Sequence, residues 1–262
     1  MISKTRLKDI LSLKHKKFRN QEKLFLIEGY RLCEEALRSD FIVEALLISS
    51  DLLPPQQIES VIQFARQKRV EVIEIQEADV NKLADTVHSQ GIFGVIRQND
   101  YHLDSILNNE NKLIILIDGG QDPGNVGTII RAGDWFGVDA VLLSAGSVEL
   151  FNPKVVRSTM GSIFHLPVLE EVEIGLVLPR LKQLGYQILA ADVQGKFLYH
   201  RMQYQFPAAL IIGNENTGID KTLIPYLDYT VSIPGHGKAE SLNMALAAAI
   251  IISRMSIESE PE

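Results

Sequence analysis

Cysteine is almost absent: Cys33 is the only one in 262 residues. No intrachain disulfide can form, so the fold must rest on core burial, and a reducing compartment, the cytoplasm, is the expected home. Long apolar runs are missing too. The longest near the end, "MALAAAIII" (residues 244–252), has nine residues, whereas a membrane-spanning helix needs about 20. That run reads as a buried helix, and no membrane partner is expected. The N-terminus, "MISKTRLKDI", is charged and lacks the apolar stretch of a secretory leader. The six histidines (15, 88, 102, 165, 200 and 236) are scattered. No His or Cys cluster has metal-ligand spacing, so no metal is expected.

What is present is an ordinary globular composition. Hydrophobic residues make up 46% and charged residues 23%, enough for a core in one large domain or two smaller ones. The net charge of −7 disfavours a nucleic-acid partner at first sight, but it is unevenly spread. Residues 1–23 carry eight basic side chains against two acidic, a local +6. Local charge, not the total, sets the attraction to a polyanion. The segment fits phosphate binding, and it equally fits a solvated helix end.

Apolar spacing divides the chain in two. Up to residue 98, "FIVEALLIS" (41–49), "VEVIEI" (70–75) and "GIFGVIRQ" (91–98) read as strands. Residues 55–69 and 77–85 have helical spacing. Together they make a small α/β unit. Residues 99–112 are polar and Asn-rich, a linker with room for one short helix. The second part, 113–262, opens with the strand "KLIILI" (112–117) and a helix over 125–137 closed by Gly137. Strands at 139–144, 186–192, 208–213 and 228–234 alternate with helices at 152–161, 174–185 (with Pro179 as a point of interruption) and 241–255. This alternation predicts an α/β fold with a parallel sheet covered on both faces.

Ligands of open α/β sheets bind outside the carboxyl ends of the strands. Three glycine-rich loops fall at such ends: "DGGQDPGNVG" (118–127), "GNENTGI" (213–219) and "IPGHGKAESLN" (233–243). The first matches neither the GxGxxG dinucleotide fingerprint nor a phosphate-binding loop ending in Gly-Lys-Ser/Thr. It leaves a turn through Pro123 and Gly124, with Asn125 in helix N-cap position and Arg131 six residues on. Each has an ordinary explanation, a cap and a surface ion pair. Glu215 in the second loop equally suits a solvated turn, and Ser241 in the third suits a helix cap. Asn243 sits at the mouth of a helix that is apolar on every face, where a polar group usually has a partner.

Taken together, the three loops resemble the motifs of the SpoU–TrmH family of RNA ribose 2′-O-methyltransferases, within the SPOUT superfamily. The matching stretches are Asp118 with "DPGNVGTIIRA", then "IIGNENTGI", then "IPGHGKAESLNMALA", linked by "KVVRSTMGSIFHLPV". "HKKFRNQEKLFLIEGYRLCEEAL" (15–37) is similar to the start of the family's ribosomal-protein-like substrate-binding domain. The resemblance implies a C-terminal parallel-sheet α/β domain with a deep trefoil knot, plus a small N-terminal α/β domain. It implies S-adenosylmethionine as cofactor, held at Gly213, Asn214, Ile233, Pro234 and Leu242. It places Asn125, Arg131, Glu215, Ser241 and Asn243 in the catalytic site. A guanidinium resists deprotonation, so Arg131 suits binding an RNA phosphate and stabilising alkoxide charge. Lys14, Lys16, Lys17 and Arg19 would contact RNA, with rRNA, 23S in particular, as the expected substrate. A tRNA substrate and a non-catalytic assembly protein are the alternatives. A homodimer is expected. His236 and Lys238 occupy the variable part of the third motif and leave the nucleotide open.

Overall fold

The structure, a computed structural model, describes residues 2–107 and 113–259. Residues 108–112 of the expected linker lie outside the described residues, as do residue 1 and residues 260–262 of the two expected domains. From the N-terminus, α1 (Lys4–Ser12) and α2 (Lys16–Glu22) precede β1 (Leu24–Glu28), α3 (Tyr30–Arg38) and β2 (Val43–Ile48). Next come α4 (Pro55–Gln67), β3 (Glu71–Glu74), α5 (Glu77–Leu83) and β4 (Ile92–Arg97). The short α6 (Leu103–Leu107) leads to β5 (Leu113–Ile117), α7 (Pro123–Trp135) and β6 (Ala140–Ser144). After α8 (Pro153–Thr159) come β7 (Val168–Val172), α9 (Ile174–Gln183), β8 (Gln187–Ala191) and the two-residue β9 (Phe197–Leu198). β10 (Ala208–Ile212), β11 (Tyr229–Ser232) and α10 (Met244–Ser259) complete the order.

The chain forms two compact units, Met1–Asp100 with Phe151–His165, and Tyr101–Leu150 with Leu166–Glu262. The first has a four-stranded sheet in the order β1-β4-β2-β3. Its pairs are antiparallel except β2 with β3. One core gathers Leu7 and Ile10 of α1, and Leu13 just after it, with Leu26, Leu47 and Phe93. The segment 151–165 supplies aromatic rings to this unit: Phe151 lies 4.6 Å from Phe25, and Phe164 meets Phe41 edge-on at 5.1 Å. His165 and Glu35 stand 3.3 Å apart, and Arg157 pairs with Asp85 at 3.5 Å. Cys33 is wholly buried in α3, and burial pushes its thiol pKa well up, which removes it as a nucleophile.

The second unit is built on a seven-stranded sheet, order β7-β6-β5-β10-β8-β11-β9, in which every pair is parallel. β5, β6 and β10 are buried along their whole length. That explains their unbroken apolar sequences, because a strand covered on both faces has no polar side. α9 packs Ile174, Val177, Leu178 and Leu181 against Ile114, Leu142, Ile188 and Ile211. α7 packs on β6, and α10 packs on both α7 and β8. Pro179 does not interrupt α9: the helix runs unbroken through it, because its apolar stripe is held by this core. Gly137 follows the last turn of α7 with φ +71°, the left-handed conformation a non-glycine residue resists.

Candidate active site

Parallel strands put all their carboxyl ends on one edge of the sheet. β5 and β10 are neighbours, so the first and second loops emerge side by side. The two are tied together. Asp118 Oδ2 accepts from the Asp220 backbone N–H at 2.9 Å. Asn214 Nδ2 donates to the Gly119 carbonyl at 2.7 Å. Asn214 Oδ1 accepts from the N–H groups of Asn216 and Thr217 at 2.9 and 3.3 Å, which curls the second loop. Gly213 is required by that curl: a Cβ there would lie 2.5 Å from the carbonyl carbon of Gly218.

α7 is capped one turn earlier than the sequence suggests. Asp122, not Asn125, is the N-cap, and its carboxylate accepts from the Asn125 N–H at 2.9 Å. Pro123 then occupies the first helical position, where its missing N–H costs nothing. The Asn125 side chain is thereby released for another task. Its Nδ2 donates to Glu215 Oε1. Its Oδ1 accepts from Asn243 Nδ2 at 2.9 Å. Asn243, in turn, caps α10: its Oδ1 accepts from the N–H groups of Ala245 and Leu246 at 2.9 and 3.3 Å. One side chain from each of the three loops therefore meets at Asn125.

The polarity of this chain of bonds is fixed. Backbone N–H groups only donate, so Asn243 must present its oxygen to them and its amide nitrogen to Asn125. An ionised carboxylate only accepts, so Asn125 must turn its nitrogen to Glu215. Both amides agree, and neither can flip without facing donor to donor or acceptor to acceptor. Each keeps one N–H for a further partner.

The structure does not bring the other expected catalytic residues to this point. Arg131 is exposed and has no partner among the described residues. It sits six residues beyond Asn125, about 9 Å along the helix and about 120° around it. Thr128 and Trp135 share its exposed stripe, and Trp135 is 83% exposed. Ser241 is exposed and caps nothing, since α10 begins at Met244 behind Asn243. Of the expected cofactor contacts, Asn214 has its side chain committed within the loops. Gly213, Ile233 and Leu242 make no backbone hydrogen bond among the described residues. Ile233 is half-buried, and Pro234 and the 46%-exposed Leu242 are exposed apolar residues of the third loop.

The expected RNA contacts are corrected in part. Arg19 is only 3% exposed, and its guanidinium donates to the carbonyls of Leu13 and Lys14, both at 2.8 Å. It closes the end of α1 and does not face an external phosphate. Lys14 is held by Asp85 at 3.1 Å and by the Ala84 carbonyl at 3.1 Å. Lys16 and Lys17 are exposed, with Lys17 Nζ 5.9 Å from the Phe18 ring. Sequence reasoning missed Asp122, which the Asp-Pro pair signals. It also passed over Gln121, Asn216, Thr217 and Lys221, polar side chains in or beside the two tied loops. Among the described residues no helix is long and apolar enough to cross a membrane, and no group of three or more His, Cys, Asp or Glu could hold a metal.

Residues 112–253 match the SpoU rRNA Methylase family, and residues 4–94 match the MRM3-like substrate binding domain. The chain is 35% identical over 247 residues, 94% of each protein, to the 23S rRNA (guanosine(2553)-2′-O)-methyltransferase RlmP of Bacillus subtilis strain 168. The SpoU methyltransferase AviRb from Streptomyces viridochromogenes, solved in complex with AdoMet, superposes with a TM-score of 0.87 at 26% identity, over 98% of both chains. An AdoMet-bound rRNA methyltransferase from Sinorhizobium meliloti gives a TM-score of 0.86 at 27% identity, over 100% of this chain and 98% of that one.

Proposed function

The chain belongs to the SpoU rRNA methylase family, and from that premise we propose that it methylates a ribose 2′-hydroxyl of 23S rRNA with S-adenosylmethionine as donor. The observation that carries this reading to particular residues is the Glu215–Asn125–Asn243 junction. It joins three loops at the carboxyl edge of the sheet and leaves oriented polar groups facing outward.

The cofactor supplies an electrophilic methyl group on a sulfonium. The chemistry of the third loop and of the β10 end suits it: unpaired backbone groups at Gly213, Ile233 and Leu242 can hydrogen-bond a purine, and Ile233, Pro234 and Leu242 can cover its faces. Asn214 supports this site by shaping the second loop. The chain's own residues then have three tasks. Glu215, held by Asn125, orients and polarises the 2′-hydroxyl through its remaining carboxylate oxygen. Asn243 fixes Asn125 and ties the junction to the N-terminus of α10. Arg131, a cation with no partner among the described residues, binds the adjacent RNA phosphate and offsets the charge that develops as the hydroxyl loses its proton. Ser241 is a further hydroxyl beside the third loop.

Residues 1–98 recognise RNA in this reading, with Lys16 and Lys17 giving affinity that carries no sequence information. Residues 113–262 hold the transfer chemistry and end in a deep trefoil knot. Support for the knot is that β10 lies between β5 and β8 and that α10 returns to pack on α7. The protein works as a cytoplasmic homodimer, a state supported by large apolar side chains left bare on two helices that pack together: Trp135 at 83% exposure and Leu246 at 57%. The test is transfer of labelled methyl from S-adenosylmethionine to 23S rRNA, followed by mapping of the modified atom. A methyl on a ribose 2′-oxygen supports the reading. A methyl on a base, or none, refutes it.

A further inference from the structure

A cleft of about 540 Å³ opens beside the junction, between the loop after β5 and the loop after β10. Its walls include Asp118, Gln121, Asn216, Thr217, Asp220 and Lys221. The volume falls within the roughly 300–1,000 Å³ of small-molecule sites. The two ties described above, Asp118 to Asp220 and Asn214 to Gly119, brace these walls against each other. The cleft is therefore formed before anything enters it.

The side chains of Gln121, Asn216, Thr217 and Lys221 make no hydrogen bond or ion pair among the described residues. Loops that spend so many side-chain bonds on their own shape leave these four unspent. Their chemistry narrows the ligand. Asp118 and Asp220 on the walls repel a phosphate. Among the described residues, Ile219 is the only large apolar side chain lining the cleft, which disfavours a hydrophobic group. Amides that both donate and accept, a hydroxyl, a cation and carboxylates suit a flat group whose edge mixes donors and acceptors. A nucleobase has that edge.

Position gives the same answer. Asn216 follows Glu215 directly, and Gln121 stands four residues before Asn125. A nucleotide with its ribose at the junction would have its base within reach of this cleft. We infer that the cleft receives the base of the nucleotide being methylated, and that Gln121, Asn216 and Lys221 read its edge. The inference rests on the ribose methyltransferase reading above. It makes choice of nucleotide a property of the catalytic unit as well as of the RNA-recognising unit.

The test uses the full chain and 23S rRNA transcripts. The methylated position is mapped with the wild type, and transcripts carrying each of the four bases there are compared by kcat/KM. Gln121→Ala and Asn216→Ala are run beside the wild type, with calorimetric binding of S-adenosylmethionine as the check on folding. The wild type is expected to prefer one base by about tenfold or more, the discrimination a good side chain–base contact gives. The alanine variants are expected to lose that preference while binding the cofactor as the wild type does. Asn216→Asp keeps the shape but turns a donor into an acceptor, and is expected to change the ranking of bases. A wild-type ranking in every variant, or equal use of all four bases by the wild type, overturns the inference while the methyltransferase reading stands. A wild type that methylates no ribose overturns both.

Discussion

Replacing Asn125 with aspartate changes one atom and leaves the shape of α7 intact. The bond from Asn243 Nδ2 to the side-chain oxygen at 125 survives. The contact with Glu215 turns from N–H facing carboxylate into carboxylate facing carboxylate. A hydrogen bond to a charged acceptor contributes about 1.5–3 kcal/mol. Glu215 is exposed, so the lower end, about 1 kcal/mol after solvent screening, is appropriate. Two like charges about 4 Å apart repel by roughly 1 kcal/mol in water and roughly 4 kcal/mol at the effective dielectric near a protein surface. For an exposed pair, about 1–2 kcal/mol is the reasonable share. The expected loss is therefore about 2–3 kcal/mol, or a fall of roughly 5–10 °C in the melting temperature of a domain this size. Adding Glu215→Gln supplies an amide N–H to the new carboxylate and restores a donor–acceptor pair with reversed polarity. Thermal unfolding at neutral pH, followed by circular dichroism, should show the double variant recovering at least half of the fall. Raising the salt should recover part of it in the single variant by screening the repulsion. If the double variant melts no higher than Asn125→Asp alone, the fixed polarity of the junction is refuted.

Four other outcomes are expected. Arg131→Ala should lower methyl transfer to rRNA by about 100-fold, as removal of a charge-stabilising group does, with calorimetric cofactor affinity unchanged; full activity would remove the role assigned to it. Arg19→Ala should act on stability, costing about 2–3 kcal/mol in urea unfolding because two carbonyls lose a charged donor, and should leave the salt dependence of RNA binding alone. Lys17→Ala should do the reverse, with unchanged stability and a salt slope shallower by about 0.7–0.9; the opposite pattern would return Arg19 to the RNA surface. Trp135→Glu with Leu246→Glu should shift sedimentation from dimer to monomer, and a wild type that already sediments as a monomer would rule out the dimer.

Legibility followed burial. β5, β6 and β10 could be read because strands covered on both faces are written as continuous apolar runs. β7, "VLEEV", could not: it lies at the edge of the sheet, only its end residues are buried, and Glu170 and Glu171 break the pattern. β1 and the helices α1 to α3 were not read as elements: the family resemblance covered residues 15–37 as a stretch, and α1 lies before it. Pro179 misled because a local rule gave way to the core contacts of α9. At the site, Asn125, Glu215 and Asn243 were each legible as candidates. Their union was not legible from the residues alone and entered only as what the family resemblance implies, because the bonds that join them span 90 and 118 residues of sequence. Arg19 misled in another way: composition counts a guanidinium as surface charge, whereas here it is the internal cap of a helix.

The aromatic contacts of Phe151 and Phe164 give the first unit two separate stretches of sequence as its inheritance. The match to a substrate-binding domain ends at residue 94, yet Phe25 and Phe41 find their ring partners near residues 151 and 164. A gene fusion or exchange with a single breakpoint near residue 100 would carry off the domain and leave half of its aromatic cluster behind. Successful recombination must move both stretches, or replace both at once. The first unit is in this sense not a detachable cassette, because its aromatic core draws on both stretches.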